Sequence, residues 1–252
     1  TLDGFEIVRE LGRGGMGVVY EARHPDLDRS VALKVILKDD ASEDSLARFS
    51  REGELLARVR HPNVLRVHRL GECAKGPYLV TELLKGEELK DQALAGLEPQ
   101  RAAAVIRDVA SGLDALHRKG IVHRDLKPGN VFIQLDGTPV LLDFGLARDL
   151  NVEKLSQTGT VLGTPAFMSP EQAGDGSTDS LDPRTDVYGL GAVLFFLLAR
   201  RPPFEGATQI NLITQVLKME PRWPSADWPD TPRDLEAICQ HAMAKNPTDR
   251  YP

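Results

Sequence analysis

Hydrophobic residues alternate with polar ones over the first 37 residues, and beyond a break at Lys85-Gly86 they recur mainly at helical spacing, so the chain must build two unlike halves. Upstream of that break, Phe5 to Leu11, Val18 to Arg23 and Ser30 to Leu37 read as three short antiparallel strands separated by Gly, Pro and polar residues. The period then changes over Ser42 to Arg60, where Leu46, Phe49, Leu55, Leu56 and Val59 approximate one helical face, and His61-Pro62 stops it. Val64 to Leu70 and Tyr78 to Leu84 complete an expected five-stranded sheet with one helix. Downstream, helices are expected over Gln100 to Lys119, Pro183 to Arg201, Thr208 to Met219 and Thr231 to Ala244. Ile121 to Glu171 is a long run of short strands and loops, and loops of that length in a compact domain usually carry function.

Composition removes several alternatives. The 252 residues suffice for one large domain or two packed lobes, and 41% hydrophobic with 27% charged residues is ordinary for a globular chain. A formal net charge of −6 argues against a general nucleic-acid binder. Cys73 and Cys239 stand far apart with no CxxC or HExxH near them, which indicates neither a disulfide framework nor a zinc site. The longest apolar run, Val187 to Ala199, holds two glycines and is too short to span a bilayer, so it reads as a buried core helix. With Thr1 in place of an initiator Met and no signal segment, the chain is expected to be a domain of a longer parent.

Three stretches carry chemistry. Gly12-Arg13-Gly14-Gly15-Met16-Gly17 matches GxGxxG, but the β-branched and aromatic residues that follow favour a second strand over the helix of a dinucleotide-binding unit. A hairpin with a glycine tip can lay backbone N–H groups over phosphates. Val31-Ala32-Leu33-Lys34-Val35 puts a lysine inside an apolar strand, where a carboxylate or phosphate partner is expected, and Glu52 in the following helix is a candidate. His123-Arg124-Asp125-Leu126-Lys127-Pro128-Gly129-Asn130, followed by Asp143-Phe144-Gly145, sets two acids, two cations and an amide on loops between apolar runs.

As an ordered set, these motifs and Gly163 to Gln172 resemble a protein kinase catalytic domain over essentially the whole chain, most closely the bacterial Ser/Thr kinases of eukaryotic-like type. The resemblance implies a bilobal α+β fold, with a small five-stranded antiparallel sheet plus one helix (residues 1–84, nucleotide binding), a larger mainly helical lobe (85–252, catalysis and substrate binding), and an active site in the cleft. It implies that Leu11 through Val19, namely Leu11, Gly12, Arg13, Gly14, Gly15, Met16, Gly17, Val18 and Val19, cover ATP. Lys34, held by Glu52, would grip the α and β phosphates. Asp143 and Asn130 would bind Mg²⁺, with Mn²⁺ as the alternative metal. Asp125 would accept the substrate proton, and Lys127 would steady the γ-phosphate. Adenine would lie between Val19 and Ala32 above and Phe132 below, facing the backbone near Glu82 and Leu84, with Thr81 as gatekeeper and Glu88 at the ribose.

By the same resemblance, His123 packs in a column with Phe144, Leu56 and Val67, Glu171 pairs with Arg250, and Asp186 secures the catalytic loop. Lys127 and Thr164 match the Ser/Thr-specific pattern, so protein Ser and Thr hydroxyls are the implied acceptors. Ser156, Thr158 and Thr160 are candidates for activating autophosphorylation, whose phosphates would pair with Arg124. Partners are then protein substrates and a second copy for autophosphorylation, with no nucleic acid and no direct membrane contact by this domain. A cytoplasmic location is implied, with a parent that is either soluble or membrane-anchored. The rival from another class is a catalytically silent pseudokinase scaffold, which would have lost Lys34, Asp125, Asn130 or Asp143. All four are present.

Overall fold

A computed structural model of the chain describes residues 2–14, 17–24, 29–36, 50–51, 53–74, 76–143, 165–174 and 182–252. Five strands, β1 (Glu6–Gly14), β2 (Gly17–Arg23), β3 (Ser30–Ile36), β4 (Val67–Cys73) and β5 (Gly76–Glu82), form an antiparallel sheet in the order β1-β2-β3-β5-β4. The alternation that marked β3 has its physical reason here: Val31, Leu33 and Val35 are buried in one small core with Phe5, Ala22, Tyr78 and Val80. Ala32 and Lys34, pointing the other way, are only partly covered. On that opposite face a helix whose described residues are 50, 51 and 53–57 (α1) packs so tightly that a Cβ on Gly53 would meet Leu70 Cδ2 at 2.3 Å.

The strand boundaries differ most from those read off the sequence at β4 and β5. Val64 and Leu65 are apolar but do not join β4. Leu141 N donates to Asn63 O at 2.9 Å, and Leu65 N donates to Leu141 O at 3.0 Å. They thereby stitch the small sheet's lead-in to a second, three-stranded sheet, β6 (Gly86–Glu88), β7 (Val131–Gln134) and β8 (Pro139–Leu141). The strand expected over Tyr78 to Leu84 stops at Glu82, the last β5 residue with a partner in β3.

The helices are α2 (Leu89–Ala95), α3 (Pro99–His117), α4 (Pro170–Ala173), α5 (Arg184–Ala199), α6 (Gln209–Lys218) and α7 (Arg233–Ala242). The four long helices match the expected ones to within two residues at each end, where caps take over. Thr208, for example, accepts from Asn211 N and so is the cap of α6. The short α2 is not apparent from periodicity, because only Leu89 and Ala93 of it are buried. The apolar run became α5, buried on every side at Tyr188, Ala192, Val193, Leu194, Phe195, Phe196 and Leu197. Its two glycines are close-packing devices: a Cβ on Gly189 would lie 2.8 Å from Leu126 Cβ, and one on Gly191 would lie 2.7 Å from Ala242 Cβ. A helical glycine costs roughly 0.5–1 kcal/mol relative to Ala. Here it lets the loop bearing Asp125 and helix α7 close onto α5.

Candidate active site

The loop between α3 and β7 takes its shape from α5. Asp186, 1% exposed in the first turn of that helix, accepts His123 N at 2.7 Å on Oδ2 and Arg124 N at 2.8 Å on Oδ1. His117 Nε2 lies 2.7 Å from the same Oδ2. Arg124 has φ +64°, a left-handed conformation that a non-glycine residue holds only when its surroundings impose it. Its carbonyl accepts Gln172 Nε2 at 2.7 Å.

That backbone presents Asp125 to a tight polar cluster. Lys127 Nζ lies 2.9 Å from Asp125 Oδ2, and Asn130 Nδ2 donates to both Oδ2 (2.9 Å) and the Asp125 carbonyl (2.8 Å). Asn130 is itself buried, and its carbonyl accepts Leu142 N at 2.8 Å, which fixes the strand end leading to Asp143. His123 is fully buried and places Nε2 2.8 Å from Leu142 O. A carbonyl can only accept, so Nε2 carries the proton and Nδ1 accepts Asp125 N at 3.3 Å. The imidazole is thus committed to structure, in keeping with the packing role implied for it. Leu56 and Val67 lie buried in the same large core, and Phe144 lies outside the described residues.

From the small sheet, Lys34 faces this cluster. In the antiparallel register Val19 lies opposite Lys34, Lys34 opposite Leu79, and Ala32 opposite Thr81, so these side chains share one face. The Lys34 ammonium pairs with Asp143 Oδ1. About half of the Asp143 side chain is open, yet the carboxyl sits deep enough that desolvation opposes its ionisation. The attraction of Lys34, its hydrogen bond, and the more distant Lys127 outweigh that cost and hold the carboxyl below the usual carboxylate range. Asp143 too has positive φ, +46°.

The other expected site residues are distributed around this pair. Gly12, Arg13 and Gly14 lie opposite Val19, Val18 and Gly17 across the β1–β2 hairpin, with Leu11, Gly12 and Arg13 exposed and Val18 buried. Gly17 must be glycine: its φ is +154°, and a Cβ there would sit 2.1 Å from Val35 O. Val19, Ala32, Leu84 and Phe132 are partly exposed, whereas Thr81 is 6% exposed and donates to Glu82 O at 3.2 Å. The Glu82 carboxylate accepts Arg66 N at 2.8 Å. Glu88 lies opposite Phe132 in the second sheet, with Oε2 against Gly129. Gly15, Met16, Glu52, Ser156, Thr158, Thr160 and Thr164 lie outside the described residues.

Glu171 and Arg250 form the implied pair, which is bidentate at 2.7 and 2.8 Å and joined by Thr185 Oγ1 at 2.8 Å. His117 and Gln172 were not singled out from the sequence. For Gln172 a signal existed, because Ser169-Pro170-Glu171-Gln172 has capping-box spacing. For His117 none did.

Comparison with known proteins agrees with this architecture. Over 258 residues the chain is 38% identical to Serine/threonine-protein kinase PknB of Mycobacterium tuberculosis, covering 99% of this chain and 41% of that protein. It is 36% identical over 261 residues to the Probable serine/threonine-protein kinase PknB of Bifidobacterium longum, covering 98% of this chain and 37% of the relative. The chain therefore spans about two fifths of the length of these curated relatives. Among solved structures, the Mycobacterium tuberculosis PknI kinase domain aligns over 100% of this chain and 92% of its own length, with TM-score 0.80 and 29% identity. The family model for the protein kinase domain matches residues 5–252, and by that match and the shared fold this chain belongs to the protein kinase domain family.

Proposed function

We propose that the chain is the catalytic domain of a protein kinase that transfers the γ-phosphoryl group of Mg·ATP to Ser and Thr hydroxyls of proteins. The observation that carries this reading is the convergence of Asp125, Lys127 and Asn130 in one hydrogen-bonded cluster beside Asp143, which pairs with Lys34 from the five-stranded sheet. Phosphoryl transfer needs positioned charge more than covalent help from the protein, and this cluster supplies it. The substrate hydroxyl oxygen forms the new bond to phosphorus, the bond to the β-phosphate oxygen breaks, and the hydroxyl proton passes to the Asp125 carboxylate. Lys127 meets the charge on the group in transit, and Lys34 holds the α and β phosphates. Val19, Ala32, Thr81, Leu84 and Phe132 take the adenine, with Glu82 and Leu84 offering backbone groups and Glu88 facing the ribose.

The donor set suits a hard divalent cation. Asp143 offers a carboxylate, and Asn130, whose Nδ2 is committed to Asp125, offers Oδ1. No group of three or more His, Cys, Asp or Glu able to hold a metal occurs among the described residues. Asp143 and Asn130 would hold such a metal together with the substrate's phosphates. When bound, such a cation neutralises triphosphate charge.

In the same reading, residues 1–84 hold the nucleotide and 85–252 hold the protein substrate. Autophosphorylation of Ser156, Thr158 or Thr160 by a second copy activates the enzyme, and Thr164 borders the acceptor. Both curated relatives are named as Ser/Thr kinases, which supports the acceptor class. Among the described residues no helix is long and apolar enough to cross a membrane. We place the domain in the cytoplasm, whether or not its parent is anchored.

The pseudokinase reading has no missing catalytic group to recommend it. The test is transfer of labelled phosphate from Mg·ATP to the protein itself and to a generic Ser/Thr substrate. Asp125→Asn and Asp143→Asn are each expected to lose 10²-fold or more, roughly the scale of a general acid–base contribution. Equal transfer by wild type and Asp143→Asn would overturn the proposal.

A further inference from the structure

Resting on that reading, we propose that Gln172 is a positioning residue: its side-chain amide locks the peptide unit that enters Asp125 and so couples the short helix α4 to the catalytic loop. The amide has one arrangement only. Oε1 faces Ser169, accepting its backbone N–H at 3.1 Å with Ser169 Oγ at 3.3 Å. Ser169 N can only donate, so the Nε2 end must turn to Arg124 O, 2.7 Å away.

That carbonyl belongs to the same planar peptide as the Asp125 N–H, which donates to His123 O at 2.9 Å. Arg124, in its left-handed conformation, is thereby held from both sides, its N–H by Asp186 of α5 and its C=O by Gln172 of α4. Asp186 fixes the Arg124 N–H and His123 the Asp125 N–H, so Gln172 adds a hold on the carbonyl end of the 124–125 peptide, and loosening that end lets Arg124 ψ shift and the Asp125 carboxylate with it.

Helix α4 is a rigid base for this contact. Glu171, its second residue, is clamped by Arg250 and Thr185, and Ser169 and Gln172 close a reciprocal capping box. A glutamate in place of Gln172 would keep the box, since its carboxylate still accepts Ser169 N–H. It would, however, set an oxygen against the Arg124 carbonyl where a donor stood. Gln172→Glu therefore separates the positioning contact from the cap, whereas Gln172→Ala removes both.

The experiment measures steady-state kinetics, thermal midpoint and amide hydrogen exchange on wild type, Gln172→Glu and Gln172→Ala. For Gln172→Glu, kcat is expected to fall about tenfold or more, the kinetic equivalent of about 1.4 kcal/mol. The KM values for ATP and protein substrate should stay within about threefold. Its thermal midpoint should fall by less than that of Gln172→Ala, while exchange at the Asp125 amide rises about tenfold and that of α3 does not change. Gln172→Ala should lose both kcat and thermal midpoint. Wild-type kcat with unchanged Asp125 protection in Gln172→Glu would overturn the proposal, as would a kcat loss accompanied by a thermal loss as large as that of Gln172→Ala. If wild type itself transfers no phosphate, the kinase reading fails while hydrogen exchange still decides the role of Gln172.

Discussion

Replacing Arg250 by Met tests how the large lobe is held around the site. The guanidinium has no exposed surface and uses every donor: Nε to Ala244 O (2.8 Å), Nη1 to Glu171 Oε1 (2.7 Å) and Arg184 O (2.9 Å), Nη2 to Glu171 Oε2 (2.8 Å) and Lys245 O (3.1 Å). Its Cζ also lies 5.1 Å from the Tyr188 ring centroid. Methionine fills similar volume but leaves three carbonyls and the Glu171 carboxylate without those donors. Breaking one side of a fully buried pair costs about 3–5 kcal/mol, and because the Glu171 side chain keeps 24% exposure the loss here belongs at the lower end. For a chain of this size that lowers the thermal midpoint by roughly 6–12 °C, at about 2–4 °C per kcal/mol.

The loss should also depend on pH. Burial works to raise the Glu171 carboxyl, but hydrogen bonds from Arg250 and Thr185 and the guanidinium charge hold it below its ordinary value. A depressed folded-state pKa gives stability that is fully present above the unfolded value, about 4.3, and is lost as pH falls through the folded value. In Arg250→Met, burial remains without the cation, so the orphaned carboxyl takes a proton more readily than in wild type. The stability gap between the two proteins should therefore narrow as pH falls from 7 towards 4. Far-ultraviolet circular dichroism with heat and urea at several pH values reads this directly. In addition, Arg250→Met combined with Glu171→Gln should cost less than the sum of the single changes, because no buried charge is orphaned. A loss below about 1 kcal/mol, or strict additivity with a pH-independent gap, would refute the reasoning.

Other expectations follow from single features. Burial pushes the Tyr188 phenol well above its ordinary pKa, and its hydroxyl finds no hydrogen-bond partner among the described residues, so Tyr188→Phe should be neutral or stabilising by about 1 kcal/mol in urea unfolding. Clear destabilisation would mean the hydroxyl is satisfied. Gly17→Ala forces a Cβ against Val35 O and should destabilise by about 1–3 kcal/mol while weakening nucleotide binding measured by calorimetry. An unchanged midpoint would contradict the close approach of β2 to β3. The Cys239 thiol is pushed up to about 12 by burial, whereas Cys73 is partly exposed, so a thiol reagent at pH 8 should titrate one cysteine in the native chain and two in denaturant.

What was legible in the sequence was whatever short windows encode. Alternation located β3 because Val31, Leu33 and Val35 face the small core while Ala32 and Lys34 face the other way. The apolar run read as a core helix because nothing polar interrupts it. Val64 and Leu65 misled the strand assignment, since an apolar residue does not say which sheet it will join, and Leu141 claimed them. Helix α2 was missed because seven residues with two buried positions carry too little period to register.

The sequence by itself determined the two unlike halves, the chemical inventory of the cleft and the family resemblance, because periodicity and residue type are local properties. Only the tertiary structure decided which donor faces which acceptor. Lys34 meets Asp143 across 109 residues, Arg250 meets Glu171 across 79, and Gln172 reaches the Arg124 carbonyl across 48. The last two pairings follow from how α4 packs against the 123–130 loop and the end of the chain, and the first from how β3 lies against the end of β8. That packing sums weak contacts from the whole core, which no window of sequence contains.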